Sequence, residues 1–133
     1  MKVVFADTFY SLALLNKNDE AHARAFNYLN QFSGKLITSE WILLELADGL
    51  ATSRHRDAFS ITRTELLAAD SVEVVPLDMA IHEEAIALYA NRRDKNWSLT
   101  DCVSFVIMRQ KGIAEALTGD AHFEQAGFRA LLK

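Results

Sequence analysis

The chain has 133 residues, 50% of them hydrophobic and 24% charged, which excludes a disordered segment and predicts one globular domain with a sizeable core. Its formal charge is −4, with 18 acidic against 14 basic side chains, so no basic surplus points to nucleic acid. The single cysteine, Cys102, excludes an intrachain disulfide and a multi-cysteine zinc site and makes reducing cytoplasm the expected compartment. The charge argument weakens if four of the acids gather around a cation, because 14 then remain against 14 bases, so net charge does not decide the partner. No apolar run reaches the roughly 18 residues needed to span a bilayer. Residues 1–6 lack the basic-then-apolar pattern of a signal peptide, so neither a membrane span nor a secretion signal is expected.

Residues 1–6 (MKVVFA) form a short apolar run that meets Asp7-Thr8, and both of its faces look apolar, as in a buried strand of a parallel sheet. Residues 9–15 are helix-compatible, and the polar stretch 16–19 breaks the run. Asp19-Glu20 is expected to open a helix with acids in its first turn, where they suit the helix dipole. Ala21, Ala25, Tyr28, Leu29 and Phe32 recur along it at helical spacing, and Ser33-Gly34 ends it. Residues 35–37 read as a second strand, and Thr38-Ser39 supplies capping hydroxyls for a helix over 40–51. That helix is apolar nearly all round (Trp41, Ile42, Leu43, Leu44, Leu46, Leu50), which requires packing on more than one side.

A basic connector, Arg54-His55-Arg56, leads to an amphipathic helix over 58–69 carrying Phe59, Ile61, Leu66 and Leu67. Residues 72–75 form a third strand closed by Pro76, and Asp78 caps a helix with Ile81, Ala85, Leu88 and Tyr89 on one face. The polar loop 92–96 (Arg92-Arg93-Asp94-Lys95-Asn96) introduces the stretch 97–128, WSLTDCVSFVIMRQKGIAEALTGDAHFEQAGF. It holds a polar start, an apolar helix-like run over 102–108, a basic end at Arg109 and Lys111 with Gly112, and a short apolar segment stopping at Thr118-Gly119-Asp120. Residues 128–132 complete the chain as a last edge strand. Short apolar strands alternating with helices predict a mainly parallel sheet covered by helices on both faces, a three-layer α/β/α sandwich. Ligands of such sheets bind outside the carboxyl ends of the strands.

Three acids meet that criterion: Asp7 and Asp120 each follow a strand, and Asp101 opens the helix after Ser98. Each also has a capping explanation, because aspartate is a favoured N-cap and Ser98 to Asp101 has capping-box spacing. Together they are harder to explain as caps, since carboxylates ~4 Å apart repel by ~1 kcal/mol even at the dielectric of water. A bound cation relieves that repulsion, and an all-oxygen set selects Mg²⁺ or Mn²⁺ over zinc. Glu45 is a fourth candidate inside an apolar run, although Glu45, Asp48 and Thr52 also fit a narrow solvent-facing stripe, with Asp48 and Glu40 as competitors. Thr8 and Thr118 place hydroxyls beside the acids, for a bound water or for local backbone groups. Cys102 reads as a small core residue. His122 is either a residue approaching a substrate near Asp120 or, the favoured reading, an ordinary helix-start histidine, while Arg92, Arg93 and Lys95 are either phosphate-binding or a solvated loop.

The combination of Asp7-Thr8, Thr38-Ser39 to Glu45, SLTDCVSFVIM and ALTGDAHFEQAGF resembles the PIN-domain ribonucleases, closest to the bacterial VapC-type toxin branch. The resemblance covers essentially the whole chain and is most specific in its C-terminal third. It implies an α/β/α sandwich and an acidic pocket for Mg²⁺ or Mn²⁺ built from Asp7, Glu45, Asp101 and Asp120, with Thr118 supporting. The family's hydroxyl pair after the first aspartate is half kept, with Thr8 present but Phe9 where serine is common. The function implied is a metal-dependent endoribonuclease with an RNA substrate, as in the toxins of toxin–antitoxin pairs. The apolar helix over 41–50 and the side chains Phe26, Tyr28 and Phe32 fit a homodimer contact, a groove for an inhibitory antitoxin helix, or core packing. Two other readings share the aspartates. A phospho-receiver or phosphotransferase domain wants a second acid two residues after the first, or an early acidic pair with a late lysine; Phe9 and Asp120 stand in the corresponding places. A catalytically silent PIN-like binding module is the other, and the intact acid set counts against it.

Overall fold

The structure, a computed structural model, describes residues 1–52 and 55–133. Of the basic connector, Arg54 lies outside the described residues. The elements run β1 (Val3–Ala6), α1 (Thr8–Leu15), α2 (His22–Gln31), β2 (Lys35–Ser39), α3 (Glu40–Gly49), α4 (Arg56–Ala68), β3 (Val72–Val75), α5 (Met79–Asn91), α6 (Leu99–Lys111), β4 (Glu115–Leu117), α7 (Ala121–Gln125) and β5 (Arg129–Ala130). The strands form one five-stranded sheet in the order β3-β2-β1-β4-β5, with every pairing parallel. The order reverses at β1, which places a topological switch point between β1 and β4.

Both faces of the sheet are covered because successive strand residues point to opposite sides. Val4, Ala6 and Leu117 pack with Tyr10, Ala13, Ala21 and Ala25 of the α1–α2 layer. Val3, Phe5, Ile37 and Ala116 pack on the other side, with Trp41, Ala85 and the α6 side chains. Helix α3 packs on two sides, as its all-round apolarity requires. Trp41 and Ile42 join the α6 layer, while Leu43, Leu46 and Leu50 meet Leu12, Leu15, Phe59 and Leu66.

Helix α6 is the most deeply set element, with every residue from Cys102 through Met108 buried. It opens with the predicted capping box and closes at Gly112, whose φ of 67° is the left-handed conformation that glycine adopts without Cβ strain. Beneath its N-terminal half, Phe105 meets Trp97, Phe123 and Phe128 at ring-centroid distances of 5.0, 5.0 and 5.7 Å. Phe123 also reaches Phe5 at 6.5 Å, so aromatic contacts join α6, α7, β5's approach and β1.

Three expectations shift. Helix α2 starts at His22 and not at Asp19: the Asp19 carboxylate accepts the Ala21 N–H at 2.8 Å and the Asp19 carbonyl accepts the His22 N–H at 3.0 Å, which makes a turn before the helix. Its first turn therefore holds no acid. Leu29 and Tyr89, read as core-facing from their spacing, are about half exposed. Thr38 belongs to β2, where it donates to the Ala6 carbonyl at 2.9 Å, and Ser39 alone caps α3.

Truncating Phe105 to alanine empties the centre of the aromatic cluster and is expected to cost about 3–5 kcal/mol in urea unfolding. A loss below about 1 kcal/mol would show that the cluster does not carry the α6–α7 contact.

Candidate active site

Register brings the first pair of site residues together. Ala6 of β1 pairs with Leu117 of β4, so the next residues, Asp7 and Thr118, emerge side by side at the carboxyl end of the sheet. The Thr118 hydroxyl donates to Asp7 Oδ2 at 2.9 Å and accepts the Asp120 backbone N–H at 3.0 Å. One buried hydroxyl thus fixes two of the four acids. Asp7 precedes α1 but makes no side-chain cap, so the capping explanation fails for it.

Glu45 enters from α3, one and a half turns beyond the Ser39 cap. The Thr8 hydroxyl donates to Glu45 Oε1 at 2.6 Å. Its competitors are placed elsewhere: Glu40 is held by Arg63 through two bonds of 3.1 and 2.6 Å, and Asp48 is exposed. Of the three, Glu45 is the one whose charge acts on Asp7.

Asp101 and Asp120 do cap their helices. Asp101 Oδ2 accepts the Ser98 N–H at 3.1 Å, with the Asp101 N–H returned to Ser98 Oγ at 3.0 Å, and Asp120 Oδ1 accepts the His122 N–H at 2.9 Å. His122 then joins the two acids, its Nδ1 lying 2.9 Å from Asp101 Oδ2 and 3.5 Å from Asp120 Oδ1. His122 is a helix-start residue as expected, and its ring adds a contact that the local sequence does not report. Its partner Asp101 is 21 residues away, a separation that no local pattern reports. Ligand atoms of Asp101, Asp120 and His122 all lie within 4.8 Å of one another. Asp7 and Glu45 lie outside that triplet but are tied to it through Thr118 and through electrostatics.

The Asp7 carboxyl is raised from its ordinary 3.8 to about 7, chiefly because it is buried. Hydrogen bonds from Thr118 and the Thr8 backbone oppose the rise, and the charges of Asp101 and Glu45 add to it. Burial falls off towards the mouth of the site, from Asp7 at 6% exposed to side-chain exposures of 13% for Asp101 and 36% for Asp120. No lysine or arginine among the described residues pairs with any of the four acids. A set of carboxylate oxygens with one nearly sealed member and no lysine or arginine partner among the described residues fits a hard divalent cation. Asp7, Asp101 and Asp120, with Glu45 behind them, are the residues that would hold it.

The basic loop is placed less simply. Arg92 grips Asp94 at 3.0 and 3.1 Å and stacks over the Trp97 ring at 5.0 Å, and Lys95 lies 4.0 Å from Asp94. Arg93 is exposed. With Trp97 and Ser98 these residues line a cleft of about 580 Å³ that ends at the Asp101 capping box. Phe9, where the resembled family has a hydroxyl, braces the loop after β4: a Cβ on Gly119 would sit 2.6 Å from the tip of its ring. Cys102 is fully buried core, as expected.

The sequence profile of the PIN domain matches residues 4–129 of this chain. The chain belongs to the PIN-domain family. It is 30% identical over 132 residues, 95% of each chain, to the 23S rRNA-specific endonuclease VapC20 of Mycobacterium tuberculosis, in strains CDC 1551/Oshkosh and H37Rv. The crystal structure of VapC20, described as a sarcin–ricin loop cleaving toxin, matches with a TM-score of 0.85 at 27% identity, covering 94% of this chain and 95% of that one. VapBC2 from Rickettsia felis, solved with a promoter DNA fragment, shares the fold, with a TM-score of 0.67 at 12% identity over 96% of both chains. FitAcB from Neisseria gonorrhoeae does so with a TM-score of 0.67 at 18% identity, over 96% of this chain and 95% of that one. Membership in this PIN family removes the receiver and phosphotransferase alternative.

Asp7 gives a pH prediction for the metal-free protein. A carboxyl whose folded pKa is raised binds its proton more tightly in the native state than in the unfolded chain, so stability falls as pH rises through that interval. Relative to Asp7→Asn, the wild type should lose stability between the ordinary 3.8 and about 7 and change little above it. The difference should reach up to about 4 kcal/mol. Chelator-treated protein unfolded at a series of pH values measures this, and a pH-independent difference would mean that Asp7 titrates as an ordinary carboxylate.

Proposed function

We propose that this protein is a metal-dependent endoribonuclease, the toxin of a toxin–antitoxin pair, using Mg²⁺ or Mn²⁺. The observation that carries the reading is the convergence of Asp7, Glu45, Asp101 and Asp120 at one sheet rim, with the buried Asp7 carboxyl pushed to about 7 and without a lysine or arginine partner among the described residues. A catalytically silent module would have no need to keep a buried acid at that cost.

In this reading Asp7 and Asp101 are the direct metal ligands, and Asp120 and Glu45 complete the site. When bound there, the ion supplies activation of the attacking water and neutralisation of charge building on the phosphoryl oxygens. Thr118 keeps Asp7 and the Asp120 backbone in register, and Thr8 does the same for Glu45. Arg93 and Lys95, in the cleft that ends at Ser98, hold the RNA backbone; Arg92 supports them through Asp94 and Trp97. The 23S rRNA specificity of VapC20 makes ribosomal RNA the first substrate to test.

The partners proposed are an inhibitory antitoxin and a second copy of this chain. Phe26, half exposed on α2, and Leu44, Leu77 and Met79, exposed beside α3 and α5, offer apolar surface for such contacts. Tyr28 and Phe32 offer less, since both are partly buried and stack on each other at 5.2 Å.

Purified protein should cleave ribosomal RNA in Mg²⁺ or Mn²⁺ and not in chelator, and Asp101→Asn should lower the rate at least about a hundredfold. Unchanged cleavage by Asp101→Asn sinks the assignment. In that inactive background, replacing Arg93 and Lys95 with alanine should weaken RNA binding evenly across sequences and reduce the salt slope by roughly 1.4. An unaltered slope would leave the two side chains outside the RNA path.

A further inference from the structure

His122 is the one nitrogen base inside the acid set, and its contacts have a pattern. Asp101 and Asp120 each spend one oxygen on capping: Oδ2 of Asp101 accepts from Ser98, and Oδ1 of Asp120 accepts from the His122 backbone. Those are the two oxygens that His122 Nδ1 faces, at 2.9 and 3.5 Å. Both are carboxylate oxygens with no hydrogen to give, so the ring presents an N–H at Nδ1. The opposite oxygens, Asp101 Oδ1 and Asp120 Oδ2, accept no hydrogen bond from the described residues.

A carboxylate bonded through one oxygen by a helix N-terminus can still swing about its Cβ–Cγ bond. A second donor on that same oxygen stops the swing and leaves the other oxygen facing one way. Donors behind metal ligands act in this manner, and their removal typically weakens metal binding by 10–100-fold. We propose that His122 is a positioning residue for the metal site: its Nδ1–H holds the capping oxygen of Asp101 by a hydrogen bond and draws that of Asp120, 3.5 Å away, towards the same point, leaving the other oxygen of each carboxylate for the ion. The inference rests on the four-acid metal reading above. It assigns His122 to the ligands' support and not to the ligand set. The clamp also ties α6 to α7 at the pocket mouth, where Asp120 is otherwise the most exposed of the three aspartates.

The test is Mn²⁺ binding to the chelator-stripped full chain, measured by calorimetry, together with pulsed electron paramagnetic resonance of the bound ion. His122→Ala should weaken Mn²⁺ binding about 10–100-fold. His122→Asn should restore most of it, because the asparagine amide nitrogen sits at the same bond distance from Cβ as Nδ1. His122→Gln, with its amide one carbon further out, should not. The wild-type Mn²⁺ signal should show no coupling from a directly bound nitrogen. Unchanged affinity in folded His122→Ala overturns the clamp. So does a folded His122→Asn that binds as poorly as the alanine variant, or a directly bound nitrogen in the wild type, which would make His122 a ligand. Asp101→Asn separates the two levels: if it leaves Mn²⁺ affinity unchanged, the four-acid reading fails, whereas loss there with no effect at His122 overturns only the clamp.

Discussion

A carboxyl group sealed almost completely from water at the end of β1 constrains everything built around it. Asp7 is placed there by the parallel register of β1 with β4, and burial is the main reason its pKa rises to about 7. Only a hydroxyl and a backbone N–H soften that penalty from within the chain, and the charges of Asp101 and Glu45 work against them. The fold thus brings acids together where each makes the next harder to ionise. Such an arrangement is unfavourable for an empty protein and favourable for one that takes up a cation, which replaces mutual repulsion with shared attraction.

The rim can hold this strain because the layer beneath it is rigid. Asp101 and Asp120 stand on α6 and α7, whose Phe105 and Phe123 meet edge to face at 5.0 Å, and Phe123 continues to Phe5 in the strand that leads to Asp7. The aromatic rings therefore connect three of the four acid-bearing elements below the polar surface. Glu45 is carried separately, by a helix anchored in two apolar clusters at once. Close packing transmits small displacements, so the acids keep their spacing only while that core stays filled.

Much of this is legible in the amino-acid sequence. The alternation of short strands and helices gave the parallel sandwich, and polar residues after strands gave the rim. The capping box at Ser98 was readable because both partners lie within four residues. What is not legible shares a cause, which is contact between distant segments. Spacing does not choose between Glu45, Asp48 and Glu40, and the bond that sets Glu45 apart comes from Thr8, 37 residues away. The ring contact of His122 is hidden because Asp101 reaches it across the fold. Asp19 was misplaced for the opposite reason, since its own side chain forms a tight turn that competes with helix initiation. Phe9 departs from the resembled pattern because its ring fills the space left by the absent side chain of Gly119, a packing relation that neither residue shows alone.

Capping and metal ligation looked like rival explanations of the same aspartates, and the hydrogen bonds show why they are not. A carboxylate has two oxygens, and a helix N-terminus occupies one. Asp101 caps through Oδ2 and Asp120 through Oδ1, and the remaining oxygen of each is unbonded. The cap fixes where the carboxylate stands, while the helix dipole favours its charge. An aspartate that caps is then better prepared to bind a cation than one free in a loop, because its orientation is settled before the ion arrives. Asp7, which does not cap, obtains the same preparation from the Thr118 hydroxyl. The element boundaries that make these residues look ordinary in the sequence are what make them suitable as ligands in the fold.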